Sequence, residues 1–239
     1  MVERFFLALD YPTADEAIEK GMKAICKIRY IYGRNFLERY GGVKINQNLV
    51  TGAIDERLRK FSDETGCQTF ADMKIAHGAS TGRQIMERLS EFLPFDYVTV
   101  SAALGGNILR EYVEEAAKHN AKVVAWTVHT KTSPEDAQRI YRRPLPDVIY
   151  DLSRISGEAG CDAVVMEAGM LDNQRIRELP IRKLVTGIRI DPSDRGEQSR
   201  VSGLVELSKH RSDIAYAVVS SRYLEDPESL KLFFDLLKN

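Results

Sequence analysis

Residues 68–81 read QTFADMKIAHGAST, an apolar run that carries two opposite charges and ends in small residues. The run begins as a β-strand, on which residues two apart face the same side. Asp72 and Lys74 therefore share one face, and His77 follows at the turn. An acid and an ammonium side by side can fix each other's charge states or hold a proton beside a substrate. A single pair of this kind is more often a structural ion pair, so its place in the chain decides its meaning.

Eight strand-like apolar runs alternate with helical segments along the 239 residues. The runs lie at residues 4–10, 42–46, 68–74, 95–101, 122–128, 162–166, 183–188 and 214–219. Such alternation implies a parallel sheet, and eight units in a chain of this length predict a single α/β domain, a (β/α)8 TIM barrel over residues 1–239. A doubly wound open sheet is the alternative, but the first turn, DYPTAD, lacks the glycine-rich phosphate fingerprint of that fold. Residues 27–40 show no clear period, and we assign them no element.

Composition argues against several classes of function. The formal net charge of −1 gives no sign of a nucleic-acid or membrane partner. Three cysteines, at positions 26, 67 and 161, suggest neither a disulfide framework nor a zinc site. The first apolar run is too short for a signal peptide or a membrane span. We therefore expect a cytoplasmic protein with reduced thiols.

Charged residues stand at the ends of the first three strands. Asp10 closes the first strand, Lys44 lies in the second, and Asp72 and Lys74 lie in the third. The carboxyl ends of the strands form the active face of a TIM barrel, so these four side chains should converge on one mouth. Buried ions cost several kcal/mol each unless they are paired. This cost favours a functional interpretation of the four charges over a purely structural one.

Two residues at the end of the fifth strand are interpreted from the pattern alone. Trp126 is assigned to the core rather than to a surface on which a base could stack. His129 follows the strand and either packs against the barrel or points into its mouth.

Six segments, taken in order, resemble the orotidine 5′-phosphate decarboxylase family and its barrel suprafamily. The third is similar to that family's D-x-K-x-x-D signature, and the last to its T-P-G-I-R-P-x-G…D-Q-x-R segment. The six segments are LALD (7–10), VKIN (43–46), ADMKIAHGAST (71–81), VTVSAALGG (98–106), WTVHT (126–130) and VTGIRIDPSDRGEQSRVSG (185–203). Together they cover nearly the whole chain.

The resemblance implies a decarboxylase that needs neither a metal nor an organic cofactor. Lys44, Asp72 and Lys74 match the family's alternating array of charges and are the implied catalytic residues. Asp10 and Lys44 are implied to contact the ribose of a small phosphorylated nucleotide. Asp72 is implied to lie near the departing carboxylate, and Lys74 to stabilise and then protonate the carbanion at pyrimidine C6. The product would be uridine 5′-phosphate, in pyrimidine biosynthesis.

The resemblance also implies further substrate contacts and a homodimer. His77 and Thr81 match positions that the family directs across its dimer interface. Residues 189–200 are the expected lid over the phosphate. The residues assigned to substrate binding in addition to Asp10 are His77, Thr81, Thr130, Ser133, Gly187, Arg189 and Arg222.

Five positions depart from the family pattern. His77 replaces the second Asp of the signature, and Ser101 replaces the His of the fourth-strand motif. Lys131 stands where a serine contacts the pyrimidine, with Ser133 two residues on, and Asp191 stands where a glutamine is expected in the phosphate loop. Arg222 falls one position late, because the eighth strand ends in VSSR rather than V-G-R.

Three hypotheses therefore stay open. The first is an orotidine 5′-phosphate decarboxylase. The second is a divergent lyase that acts on another phosphorylated substrate; hexulose-phosphate synthases share the barrel and use Mg²⁺, for which the second strand offers Lys44 and Asn46 rather than a carboxylate. The third is a non-catalytic nucleotide-binding paralogue. His77, Asp191 and the shifted Arg222 favour it, and the intact Lys44–Asp72–Lys74 array opposes it.

Overall fold

A computed structural model describes residues 2–52, 56–190 and 202–238. Its strands in chain order are β1 (Arg4–Ala8), β2 (Gly41–Asn46), β3 (Gln68–Ile75), β4 (Tyr97–Ser101), β5 (Lys122–Trp126), β6 (Ala163–Met166), β7 (Arg182–Val185), β8 (Ile188–Arg189), β9 (Ser202–Gly203) and β10 (Tyr216–Val219). The short strands β8 and β9 form a separate two-stranded sheet. The other eight are parallel and close into a barrel in the order β1-β10-β7-β6-β5-β4-β3-β2. The predicted (β/α)8 barrel is confirmed.

Helices connect the strands and cover the outside of the barrel. They are α1 (Ala14–Tyr32), α2 (Asn35–Tyr40), α3 (Gln47–Gly52), α4 (Glu56–Thr65), α5 (Ala79–Phe92), α6 (Gly106–Lys118), α7 (Pro134–Tyr141), α8 (Leu145–Glu158), α9 (Gln174–Arg177), α10 (Leu204–Lys209) and α11 (Pro227–Lys238). Single 3₁₀ turns at Ala102–Leu104, Ala168–Asp172, Arg211–Asp213 and Ser221–Tyr223 complete the described connections. None of these helices is long and apolar enough to cross a bilayer.

Residues 27–40, to which the sequence pattern assigned no element, are helical. Helix α1 continues to Tyr32, and α2 begins two residues after Gly33, whose φ of 88° ends α1. Aromatic packing explains the weak pattern: the rings of Tyr32 and Phe36 stack with centroids 4.8 Å apart, so the contacts run between two helices rather than along one stripe. The seventh strand also ends earlier than predicted, at Val185.

Four aromatic rings fill the lower interior of the barrel. Phe6 lies 5.0 Å from Phe70, 5.2 Å from Tyr97 and 6.0 Å from Tyr216, centroid to centroid. Gly42 makes room for Phe6, since a Cβ at this position would overlap the Phe6 ring. These rings therefore pack the lower half of the barrel interior.

Candidate active site

A cavity of about 470 Å³ opens at the carboxyl ends of the barrel strands. Its floor is apolar and consists of inward-facing residues: Ala8, Phe70, Val165, Leu184 and Val218. Its walls are polar and come from the ends of β1 to β3 on one side and from the loops after β5, β7 and β10 on the other. The volume lies within the range of small-molecule sites.

A chain of ion pairs forms one wall of the cavity. The Nζ atom of Lys44 lies 2.8 Å from Asp10 Oδ1 and 3.3 Å from Asp72 Oδ2. The Nζ atom of Lys74 lies 2.7 Å from the same Asp72 oxygen. Asn46 Nδ2 donates a second hydrogen bond to Asp10 Oδ1 at 3.2 Å. The four charges predicted from the first three strand ends thus meet in one network.

The network holds its two most buried members in their ionised forms. Burial alone would raise the pKa of the Asp72 carboxyl, but the ammonium groups of Lys44 and Lys74 outweigh burial and lower this pKa to about 2. Burial would likewise lower the pKa of Lys44, but Asp72 and Asp10 outweigh it and raise this pKa. The side chains of Lys44 and Asp72 are 9% and 13% exposed, whereas that of Lys74 is 42% exposed. Lys74 is therefore the cation of the network that a ligand can best reach.

The end of β3 departs from a regular strand at the point where it carries the charges. Its pairing with β4 shifts between Ala71 and Ile75, and Lys74 adopts a left-handed φ of 47°. The Lys74 amide donates to Thr99 Oγ1 at 2.7 Å, and the Thr99 hydroxyl donates to Asp72 Oδ1 at 3.1 Å. Asp72 and Lys74 share the cavity, as the sequence predicts, but an irregular backbone places them there.

The opposite wall contains three of the other predicted binding residues. Thr130 lies in the loop after β5, beside His129 and Lys131, and all three line the cavity. Gly187 and the buried Arg189 line it after β7. The turn after β5 is ordered by the Lys131 amide, which donates to His129 Nδ1 at 3.2 Å. This wall is thus rich in basic side chains.

Four predicted binding residues do not line the cavity of a single chain. The Ser133 hydroxyl caps α7 by accepting the Asp136 amide at 3.0 Å, so it faces its own helix. Arg222 is exposed in the turn after β10, where Ser220 lines the cavity instead, because the arginine comes one residue late. His77 and Thr81 are exposed at the start of α5, outside the cavity. The residue Asp191 and the rest of the expected lid, 191–200, lie outside the described residues.

Several cavity residues were not predicted from the sequence. Trp126, assigned to the core, lines the cavity, and its buried indole Nε1 has no hydrogen-bond partner among the described atoms. Strand alternation could have placed it there, since Val124, two residues earlier, faces the barrel interior. His129 points into the mouth. The remaining unpredicted lining residues with polar side chains are Asn46, Gln47, Asn48, Thr99, Thr127, Thr186 and Ser220.

The described part of the chain contains no group of three or more His, Cys, Asp or Glu residues arranged to hold a metal ion. Both carboxylates in the cavity wall, Asp10 and Asp72, are already in contact with lysine ammonium groups. The arrangement can therefore present fixed positive and negative charges to a ligand within a partly enclosed site, where such charges act strongly.

Fold and site together define a (β/α)8 barrel protein with a charged ligand cavity at the carboxyl end of its strands. Residues 3–222 match the Orotidine 5′-phosphate decarboxylase / HUMPS family, and the chain belongs to this family.

Named relatives agree with this family, and solved structures agree with the fold. The orotidine 5′-phosphate decarboxylase of Bacillus licheniformis is 30% identical over 183 residues, which is 70% of this chain and 74% of the relative. The protein of the same name from Erythrobacter litoralis is 28% identical over 230 residues, 93% of each chain. The fold resembles the Lactobacillus acidophilus orotidine 5′-phosphate decarboxylase (TM-score 0.73, 16% identity, 99% and 100% of the two chains). It also resembles the Methanocaldococcus jannaschii orotidine 5′-monophosphate decarboxylase complexed with inhibitor BMP (TM-score 0.73, 17% identity, 100% of both chains).

Proposed function

We propose that this protein decarboxylates orotidine 5′-phosphate to uridine 5′-phosphate in pyrimidine biosynthesis, without a metal or an organic cofactor. The observation that carries the proposal is the shared contact of Asp72 Oδ2, which lies 3.3 Å from Lys44 Nζ and 2.7 Å from Lys74 Nζ. A carboxylate and two ammonium groups fixed in one wall can act on a charge that moves during the reaction.

The proposed reaction breaks the bond between pyrimidine C6 and its carboxylate carbon. The electron pair of that bond stays on C6, and the carboxylate leaves as CO₂. Asp72 lies beside the departing carboxylate and disfavours its negative charge, which is lost in the transition state. Lys74 stabilises the pair on C6 and then donates a proton to it. Its partial exposure lets the resulting amine regain a proton from water, whereas the buried Lys44 keeps Asp72 ionised.

The remaining cavity residues fit the parts of a nucleotide. Asp10 and Lys44 are our candidates for contacts to the ribose hydroxyls, since both line the cavity and Lys44 Nζ donates to Asp10 Oδ1 at 2.8 Å. The basic wall after β5 and β7 is the candidate phosphate side, with Arg189, Gly187 and, in this chain, Lys131. The rings of Phe70 and Trp126 offer apolar faces to the pyrimidine. Binding of the remote phosphate supplies energy that can be used at the reacting carbon.

A second candidate is a lyase that acts on a different phosphorylated substrate. Two observations favour it: Arg222 is exposed outside the cavity, and Lys131 lines it. The positions of Arg222 and Lys131 change the set of cations available to the ligand's anionic groups. A sugar-phosphate lyase that uses Mg²⁺ is the less favoured form of this candidate, because Asp10 and Asp72 are engaged by lysines.

The test is the loss of ultraviolet absorbance when purified protein is incubated with orotidine 5′-phosphate. We expect turnover that is equal with added Mg²⁺ and with EDTA, and uridine 5′-phosphate as the product. Absence of turnover would contradict the proposal. Fluorescence then separates the alternatives, because Trp126 is the one tryptophan of the chain and lines the cavity. Quenching by uridine 5′-phosphate without turnover would indicate the non-catalytic paralogue. The absence of both quenching and turnover would indicate a different substrate.

A further inference from the structure

Thr99 on β4 is a buried residue whose single hydroxyl joins two members of the charge array. Only 1% of Thr99 is exposed, and it lies between the fully buried Val98 and Val100. Its oxygen accepts the amide of Lys74 at 2.7 Å, and its proton is donated to Asp72 Oδ1 at 3.1 Å. A hydroxyl can do both at once, because it has one proton and two lone pairs.

The strand pairing explains why a side chain is needed at this point. Ala71 pairs with Val98 and Ile75 with Val100, so β3 advances four residues while β4 advances two. Thr99 therefore faces a bulge that includes Asp72 and Lys74. Bulges of this kind redirect side chains and leave backbone groups without their regular ladder partner. The Thr99 hydroxyl supplies that partner for the Lys74 amide.

The backbone of Lys74 is held in a conformation that lysine disfavours. Its φ of 47° lies in the left-handed region, which residues with a Cβ adopt at an energetic cost. Such a conformation persists only where surrounding contacts determine it, and strained residues of this kind cluster at functional sites. Among the described contacts of the Lys74 amide, the bond to Thr99 is the one that fixes it.

The same hydroxyl determines how the Asp72 carboxylate is shared. Thr99 binds Oδ1, while Lys44 and Lys74 both bind Oδ2. The carboxylate plane is thus fixed from β4 on one side and by the two lysines on the other. Without the hydroxyl, the Asp72 carboxylate could rotate. Its Oδ2 atom would then leave the position that it shares between the Lys44 and Lys74 ammonium groups.

We propose that Thr99 is a positioning residue: its hydroxyl ties the left-handed backbone of Lys74 to the Asp72 carboxylate and so aims the Lys74 ammonium at the substrate. This inference rests on the proposed function for its effect on catalysis. The two hydrogen bonds of Thr99 are present in the free protein, so their effect can be measured without turnover.

Two substitutions separate the hydroxyl from the shape of the side chain. Thr99→Val keeps the branched shape and removes the hydroxyl, whereas Thr99→Ser keeps the hydroxyl and removes a methyl group. With orotidine 5′-phosphate, we expect Thr99→Val to lower kcat by roughly 100-fold, as small misplacements of a reacting group do. KM should change much less, because the ribose and phosphate contacts remain. Thr99→Ser should recover most of kcat.

Hydrogen exchange of the Lys74 amide tests its bond to Thr99 directly. The exchange is measured by nuclear magnetic resonance in the ligand-free protein. Exchange should be faster in Thr99→Val and close to wild type in Thr99→Ser; Thr99→Ala serves if the valine variant does not fold. Unchanged exchange and unchanged kcat in Thr99→Val, or equal losses in the valine and serine variants, would overturn the inference. If the wild type shows no turnover, the proposed function fails, and the exchange rates alone decide whether Thr99 holds Lys74.

Discussion

At the scale of single residues, the sequence identifies the charged side chains of the site. It does not identify every residue that positions them. Asp10, Lys44, Asp72 and Lys74 follow from strand ends and the rule that such ends meet in a barrel. The role of Thr99 depends on the pairing of β3 with β4, which a single sequence does not specify. Bulges arise from the register between strands, so a local sequence pattern does not predict them.

The lowered pKa of Asp72 leads to a prediction about stability against pH. A carboxyl whose pKa is lower in the folded state stabilises the fold above its unfolded pKa, near ~3.9, and that contribution is lost as the pH falls through the folded value. With a folded pKa of about 2, the loss should begin below about pH 5. The wild type should therefore lose roughly 1 kcal/mol between pH 5 and pH 3 that Asp72→Asn does not lose.

Urea unfolding of both proteins at the two pH values measures this difference. All other titrating groups are present in both proteins. The change in the stability difference between the wild type and Asp72→Asn therefore reports the titration of Asp72. At pH 5 the variant should be less stable, because two neighbouring ammonium groups lose their shared anion. A stability difference that stays constant, or grows, on acidification would show that Asp72 is not ionised by its lysine partners.

At the scale of elements, the turn from β3 into α5 is fixed by one glycine and one tyrosine. Gly82 packs against the ring of Tyr112 from α6, and the Tyr112 hydroxyl donates to the His77 carbonyl at 2.9 Å. The helix α5 itself is predictable from sequence, but this contact between two helices is not, since glycine in a helix has many explanations.

We predict that Gly82→Ala destabilises the protein by about 1–3 kcal/mol, the usual effect of overpacking. The new Cβ would overlap the Tyr112 hydroxyl and displace it from the His77 carbonyl. Gly78→Ala is the matched control, because Gly78 has a φ of −62° and no atom within 4 Å of an added Cβ. Thermal unfolding of the two variants provides the comparison. Equal melting temperatures would mean that the turn tolerates movement of Tyr112.

The elements differ in how well the sequence predicts them. Strands buried on both faces are predicted from apolar runs, whereas Ser133, assigned to substrate binding, is the N-cap of α7 in the structure. The segment 27–40 was not assigned, because its aromatic residues pack between α1, α2 and α11. Its pattern reflects tertiary contacts rather than one helical stripe.

At the scale of the whole molecule, the exposed positions of His77 and Thr81 matter most. Both lie outside the cavity of their own chain, at the start of α5. Resemblance to the family directs these positions across a dimer interface, and that assignment stays a prediction. If it holds, the complete substrate site needs residues from a second copy.

We predict that the protein sediments as a homodimer at micromolar concentration, with twice the 27.0 kDa mass of the chain. Thr81→Lys should shift the protein toward monomer, since an unpaired ammonium at an interface is unfavourable. Glu87→Lys is the control, because Glu87 is an exposed residue on a different face of the same helix. Sedimentation as monomer alone, or equal effects of the two variants, would contradict the dimer at this face.

The proposed chemistry is tested most directly by the release of labelled CO₂ from orotidine 5′-phosphate that carries ¹³C in its carboxyl group. The assay compares the wild type with Lys74→Ala in the presence of a chelator, and Lys122→Ala, at the opposite end of the barrel, is the control. We predict release by the wild type and the control, and a rate roughly 1,000-fold lower in Lys74→Ala, which loses both the cation and the proton donor. Equal release by Lys74→Ala and the wild type, or no release by the wild type, would contradict catalysis by the Lys44–Asp72–Lys74 array.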